Sequence, residues 1–341
     1  VGPTYTTIKK SHIWEDLKRA CVNGWVSKSE QDKEIEFPGG GSIAVYSADN
    51  PDSLRGPGLD GVVIDEAAFM SVEAWQNGLR PALSDKNGWA IFITSPNGFN
   101  WIHKLFKDAE GRSGWSRWQL PSSQNPLVTD VELEDVKKDL GPRKFAQEHE
   151  AKFMEIEGAK WPAAYFEDLT VKDFPDAFEI SSIAVDPSLG KSEQSDYSAV
   201  VFVGVTQGLV WVDVDIKRRD PGSLVEAIFQ MRDRYNPTAV GIEANGFQDL
   251  FQPLINQYAV ANRAAPLPIV PMLNSESKHI RIQRLDPYLA QWAIRIREGV
   301  DSDLLIEQLM FFPSKDYHDD GPDALEMAIR LINELNQAET E

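Results

Sequence analysis

Three short apolar runs in this chain stop at a carboxylate: Gly61-Val62-Val63-Ile64 at Asp65-Glu66, Ile183-Ala184-Val185 at Asp186, and residues 239–242 at Glu243. Runs of that length are short for a helix, and their near-continuous apolarity is how a strand buried on both faces of a parallel sheet reads. The carboxyl ends of such strands feed the loops that bind ligands. Acids at those ends therefore put negative charge where an α/β protein does its chemistry. A fourth run, residues 89–94, ends in the hydroxyls of Thr94 and Ser95.

Helices and turns space these strands. Residues 11–20 read as a helix capped by Ser11, with Ile13, Trp14 and Leu17 on one face. Residues 34–37 and 42–46 read as hairpin strands around Pro38-Gly39-Gly40-Gly41. A change of character over 121–175 suggests a loop, a charged helix at 130–140, a break at Gly141-Pro142, a second helix at 143–153, and a linker at 158–162. The second half predicts a hairpin at 198–205 and 209–215 and a helix at 221–235. Beyond Glu243 it predicts a helix at 246–258, a strand at 267–271, and helices from Ser277 and Pro322. The expectation is an α/β chain with one domain over 1–120, a helical subdomain and linker over 121–175, and a domain with a mixed central sheet over 176–341. Trp14, Trp211, Trp292 and Cys21 are expected in cores.

Composition narrows the class further. With 341 residues, 42% of them hydrophobic and 26% charged, the chain is neither disordered nor fibrous and can bury two cores. One cysteine excludes a disulfide framework and a cysteine-rich zinc site. No apolar run reaches the roughly 18 residues of a membrane span, and no secretory leader opens the chain. Its first residue, Val1, suggests that residues precede it. A net charge of −19 argues against a general nucleic-acid coat, but it does not exclude an enzyme that gathers carboxylates around metal ions and confines its basic residues to a patch.

Two constellations carry chemistry. At the first, Asp65 can hold the water shell of Mg²⁺ while Glu66 polarises a water for attack on a γ-phosphate, and Thr94 and Ser95 can sense that phosphate. No G-x-x-x-x-G-K-[ST] phosphate cradle occurs anywhere in the sequence. At the second, Asp186, Glu243 and the segment His318-Asp319-Asp320-Gly321-Pro322-Asp323 come from separate elements. Such acids can converge on two divalent ions roughly 3.5–4 Å apart. Asp320 and Asp323, spaced i,i+3, can share a helix face. Taken singly, each of these acids reads equally well as a helix cap or a solvated group.

The ordered set of motifs resembles the large terminase subunit of tailed bacteriophages, the DNA-packaging motor and nuclease. The matching residues are Pro3-Thr4-Tyr5, Ser53-Leu54-Arg55-Gly56, Val63-Ile64-Asp65-Glu66-Ala67, Thr94-Ser95-Pro96 with Gly98, Asn125-Pro126 and Phe145-Ala146-Gln147-Glu148. Further on they are Asp186-Pro187, Ser195-Asp196-Tyr197-Ser198, Glu243-Ala244-Asn245-Gly246, Lys278 with Arg281, and His318-Asp319-Asp320 through Asp323-Ala324-Leu325. The resemblance implies a RecA-like ATPase domain of the additional-strand class, here partial, followed by an RNase H-like nuclease domain. It implies ATP at Asp65, Glu66, Thr94 and Ser95, with Arg55 reaching a neighbour's nucleotide. It also implies Mg²⁺ or Mn²⁺ on Asp186, Glu243 and Asp320, with Asp319 and Asp323 as alternatives and Asp196 as an auxiliary acid. His318, beside the acids, reads either as a contact to the scissile phosphate or a metal-bound water or as a helix-entry residue. The family's phosphate-binding loop lies upstream of Pro3-Thr4-Tyr5, so the chain is expected to be a piece of a longer one that does not hydrolyse ATP by itself. Implied partners are double-stranded DNA, the capsid portal, the small terminase subunit and further copies in a ring, in the bacterial host cytoplasm and at the procapsid portal vertex, with no membrane.

DNA contacts are expected from Lys217-Arg218-Arg219 and from a basic stretch holding Lys278, Arg281, Arg284, Arg295 and Arg297. In that stretch Lys278, Arg281 and Arg284, at i,i+3,i+6, partly share a helix face, and each of them reads equally well as a member of a solvated face paired to Asp and Glu. Two other readings stand beside this one. A resolvase or transposase of the RNase H-like class would not need the Asp65-Glu66 strand, and a non-enzymatic component docking at the capsid portal would not cut DNA.

Overall fold

The structure, a computed structural model, describes residues 1–10, 12–56, 58–155, 158–187, 197–243, 251–314 and 317–340. Ser11, Asp196 and the start of the helix expected at 246–258 lie outside the described residues. The chain divides into two units, Val1–Ile156 and Glu157–Glu341. Both are mixtures of helix and strand, as the strand-and-helix pattern predicts.

In the first unit, α1 (Tyr5–Lys10) and α2 (Ile13–Ala20) precede a three-stranded antiparallel sheet of β1 (Ser27–Ser29), β2 (Glu34–Glu36) and β3 (Ser42–Ala44). The expected hairpin is β2–β3. Its turn holds Gly39 and Gly40 at φ 100° and 83°, a backbone region that favours glycine. Nothing in Ser27-Lys28-Ser29 announces β1, because it carries no apolar residue. Next, β4 (Gly61–Asp65) and β5 (Trp89–Ile93) pair in parallel with Asp65 level with Ile93. These strands fall where expected but are not buried on both faces. Val62 and Ile64 are buried, whereas Val63, Ile91 and Ile93 are exposed. The covered face packs Phe92 against the rings of Trp75 and Trp101, with centroids 4.7 and 6.1 Å away. Helices α3 (Arg80–Ser84), α4 (Trp101–Asp108) and α5 (Asp130–Glu148) complete the unit. Gly141, at φ 74° and ψ 164°, interrupts α5 with a non-helical residue where the break is expected, and the second half stops at Glu148, short of the expected Phe153. Cys21 caps α2 and is only partly buried, so it is not a core residue.

The second unit is built on a seven-stranded sheet. In chain order its elements are β6 (Thr170–Val171), β7 (Ile180–Asp186), β8 (Ser198–Thr206), β9 (Leu209–Lys217), α6 (Pro221–Tyr235), β10 (Ala239–Glu243), α7 (Gln252–Asn262) and β11 (Ile269–Met272). They continue with α8 (Lys278–Ile282), α9 (Asp286–Ala290), β12 (Ile294–Arg297), α10 (Val300–Phe311) and α11 (Asp320–Thr340). The strand order is β11-β10-β7-β8-β9-β12-β6. Only β8 runs against the others, which makes the sheet mixed. β6 and β12 lie outside the sequence expectation; Thr170–Val171 is too short to show a period, and Ile294–Arg297 alternates with arginines. Trp292, expected in the core, is exposed at φ 57° in the turn before β12.

Side-chain parity decides which face does what, because successive residues of a strand point to opposite faces. Ile183 and Val185 join Val200, Phe202, Val240 and Ile242 in a cluster with Leu224, Ile228 and Phe229 of α6 and Ile255 of α7. Ser182 and Ala184 point the other way, and Ser182 Oγ donates to the Ala328 carbonyl of α11 at 2.8 Å. α11 therefore covers the face opposite α6. Asp186 has the parity of Ser182, so it faces the α11 side at the carboxyl end of β7.

Candidate functional site

Parallel register puts Ile242 opposite Val185, so Glu243 ends β10 level with Asp186 and on the same side of the sheet. The first turn of α11 supplies Asp320 and Asp323, with Asp319 just before it; the Asp323 amide donates to the Asp319 carbonyl at 3.0 Å. Acids at a helix N-terminus are favoured by its exposed amides and dipole. Gly321 packs closely in that turn: a Cβ there would lie 2.7 Å from both Gln308 Oε1 and Ile216 Cδ1, so those side-chain ends would have to shift. The edge of the sheet and the start of the helix thus bring together the acids that sequence spacing picked out. Asp186, Asp320 and Asp323 are all buried.

A lysine sits among them. Lys278 Nζ, at the start of α8, lies 3.0 Å from Asp186 Oδ2, 2.9 Å from Asp319 Oδ1 and 3.0 Å from Asp320 Oδ1. Burial pushes the Asp186 carboxyl up to about 7, with Lys278 pulling it back and Asp320 and Asp323 adding to the rise. Burial likewise raises Asp320, against the pull of Lys278. Lys278 loses solvation too, yet the three surrounding carboxylates hold its ammonium charged beyond the ordinary range. Asp323 is committed elsewhere: Arg281 grips it through Nε and Nη2, the shortest contact being 2.6 Å. Burial still lifts it to about 6, and Glu243 is one of the charges that lifts it. Glu243 accepts from Asn274 Nδ2 at 2.9 Å, and Asn274 in turn accepts from Arg330 at 2.7 Å.

Among the described residues no three His, Cys, Asp or Glu side chains are already drawn together as a metal cage. Asp186, Asp319 and Asp320 are spaced around an ammonium, at distances about 1 Å longer than the roughly 2.0–2.1 Å of a Mg²⁺–oxygen bond. The donor set nevertheless fits a divalent ion. It consists of hard oxygens, already surrounds one cation, and includes a buried Asp320 Oδ2 with no hydrogen-bond partner among the described residues.

The basic helix face is paired within the fold. Lys278, Arg281 and Arg284 do share a face, but it is turned onto the acids. Arg281 is buried against Asp323, and Arg284 pairs with Glu276 and with Glu326, the latter at 3.2 Å. The spacing shows that the cations are neighbours but not that α11 supplies the matching acids. Lys217 lies 3.4 Å from Asp215 and 3.7 Å from Asp301, and Arg219 is paired with Asp215. Arg297 donates to the Tyr235 hydroxyl at 2.6 Å, and Arg295 to the Trp292 carbonyl at 2.7 Å. Arg218 is placed beside the acids: its guanidinium stacks 4.6 Å over the Tyr197 ring and comes within 3.4 Å of His318 Nε2. His318 Nδ1 is in turn 3.9 Å from Asp320 Oδ2. Sequence reasoning missed Asn274 and Glu326, which carry no strand-end or motif signal.

In the first unit, Glu66 follows β4 in a left-handed conformation at φ 52°. Thr94 Oγ1 lies 3.5 Å from Glu66 Oε2, accepts from the Ala68 amide at 3.1 Å and donates to the Ser95 carbonyl at 2.7 Å. Burial raises the Glu66 carboxyl, and nearby Asp65 and Glu148 raise it further. Asp65, Glu66, Thr94 and Ser95 therefore meet at the carboxyl end of β4–β5, with Glu148 from α5 as an addition sequence spacing did not show. Arg55 is exposed in the loop before β4.

Residues 24–168 match the family model described as the N-terminal part of the T4-like-virus-type terminase large subunit, and residues 183–331 match the terminase RNase H-like domain. The terminase large subunit of Thermus virus P23-45 is 40% identical over 80 residues, which are 22% of this chain and 16% of that protein. That of Escherichia phage T5 is 31% identical over 135 residues, 38% of this chain and 31% of that protein. The matched stretches thus span less than a third of either relative's length. Among solved structures, the HK97 bacteriophage large terminase superposes with a TM-score of 0.41 at 11% identity, covering 96% of this chain and 82% of that one. The ATPase domain of the Thermus phage P74-26 large terminase gives 0.32 at 25% identity, covering 45% and 74%. The human cytomegalovirus terminase nuclease domain gives 0.37 at 13% identity, covering 46% and 86%.

Proposed function

The chain belongs to the terminase large-subunit family, and on that premise we propose that its second unit is a metal-dependent endonuclease for double-stranded DNA, serving a viral DNA-packaging motor. The observation that carries this reading is the meeting of Asp186 and Asp320 on one cation, with Glu243 level beside Asp186. Asp186, Glu243 and Asp320 would hold Mg²⁺ or Mn²⁺, with Asp319 at the rim. When bound, such ions supply an activated water and charge neutralisation at the scissile phosphate. The protein's own part is to fix the acids on a sheet edge and a helix start, so that only their side chains have to close on the ion. Arg218, held flat by Tyr197, and His318 would orient the phosphate; Lys217 would add charge along the backbone. Asp323 serves to lock Arg281 and the start of α11 in place.

The first unit would carry the hydrolytic end of an ATPase in the complete protein. There Asp65 would hold the metal's water shell, Glu66 the attacking water, Thr94 and Ser95 would couple hydrolysis to movement, and Arg55 would reach a neighbouring subunit's nucleotide. The 341 residues contain no phosphate cradle, so we place ATP turnover in the complete protein only. Domain limits near 120 and 176, assembly as a ring with the capsid portal and the small subunit, and residence in the host cytoplasm belong to the same reading. No helix among the described residues is long and apolar enough to cross a membrane.

The test is nicking and linearisation of supercoiled plasmid by the purified chain with Mn²⁺. Asp186→Asn should reduce the rate by at least about a hundredfold, since it removes a charged metal ligand. Cleavage that persists in that variant and in Asp320→Asn would refute the assignment.

A further inference from the structure

Resting on that reading of the acids, we propose that Lys278 is a built-in counter-cation that competes with divalent metal for the carboxylates of Asp186, Asp319 and Asp320. Its ammonium touches one oxygen of each, at 2.9–3.0 Å. A divalent ion must draw the same oxygens to a shorter distance around a single centre, so ammonium and metal cannot both sit there. Three acids brought together at a sheet edge repel one another unless a positive charge lies between them. Lys278 supplies that charge from within the fold and keeps the acids in place.

The geometry also gives the lysine a way out. Its side chain is 31% exposed and Asp319 41%, so the rim of the cluster opens to solvent, while Asp186 and Asp320 form its floor at 10% and 12%. A lysine is a point charge on a flexible four-carbon stem and can swing away. The neighbouring Arg281 cannot, since both its side chain and that of Asp323 are buried in a forked pair. The two cations of one short helix thus divide the work. Arg281 is a fixed strut, whereas Lys278 is exchangeable, so the acids become available to metal only when the ammonium is outcompeted.

The experiment is Mn²⁺ binding to the whole chain by isothermal titration, comparing wild type, Lys278→Met and Asp186→Asn. If the ammonium holds the cluster for nine-tenths of the time or more, its removal tightens Mn²⁺ binding about tenfold or more. In EDTA the Lys278→Met protein should melt below wild type, and Mn²⁺ should raise its melting temperature by more than it raises that of wild type. A wild-type measurement covers the case in which that variant fails to fold: amine labelling of Lys278, read by mass spectrometry, should speed up on adding Mg²⁺. Unchanged or weaker Mn²⁺ binding in Lys278→Met, or labelling that does not respond to Mg²⁺, overturns the competition while leaving the metal site standing if Asp186→Asn still abolishes binding. No Asp186-dependent Mn²⁺ binding in wild type overturns both.

Discussion

Arg281 and Asp323 show how far a single pair can matter. Both are buried, and each is the other's main counter-charge. Arg281→Ala leaves a buried carboxylate uncompensated and should cost about 3–5 kcal/mol in urea denaturation. Arg281→Met combined with Asp323→Leu should cost less than the single change, because no charge is stranded. Asp186 gives a pH signature. Its folded value near 7 lies above that of a free carboxyl, so the folded protein binds the extra proton across that window. Stability measured in EDTA should therefore fall as pH rises from about 4 to 7. Asp186→Asn should flatten that slope; an equally steep slope in the variant would contradict the buried-acid account. At this scale the sequence exposed the acids but not their partners. Lys278, Arg281 and Arg284 read as a phosphate-facing stripe because the helix period shows which cations are neighbours and says nothing of what packs against them.

Elements were legible where their pattern was periodic or their ends were chemically marked. β4, β7, β10 and the β8–β9 hairpin stand where apolar runs and a glycine turn put them. Which face of β7 carries Asp186 was not legible, because all seven of its residues are buried and no polar alternation labels the sides. The small Ser182 and Ala184 against the larger Ile183 and Val185 are the only hint, and they make room for α11. β6 and β12 were invisible because each is held by its neighbours in the sheet more than by its own pattern. The start of α11 is the element on which the site depends most. Gly321→Ala would press a Cβ against Gln308 and Ile216, so it should destabilise the second unit by about 1–3 kcal/mol. It should also weaken Mn²⁺ binding by shifting Asp320. Normal Mn²⁺ affinity in a destabilised Gly321→Ala protein would uncouple the helix start from the site.

For the whole molecule, the proposed nuclease function requires a charge of −19 to coexist with a polyanionic substrate. Most of the basic residues that the sequence offers for DNA contact are already bound to acids of the same unit, so the chain should hold duplex DNA poorly unless divalent ions lower the negative potential at the site. Fluorescence anisotropy with a labelled duplex should show binding strengthened by Ca²⁺ and weakened steeply by added salt. Equal affinity in EDTA and Ca²⁺ would contradict this. The two units carry separate constellations, one at the end of β4–β5 and one at the end of β7–β10, and the nuclease reading stands on the second. The most direct measurement is anomalous scattering from crystals of the chain soaked in Mn²⁺. The account predicts peaks bounded by Asp186, Glu243 and Asp320, with the Lys278 ammonium displaced from among them. Strong Mn²⁺ peaks elsewhere, with Lys278 still seated between Asp186 and Asp320, would contradict it.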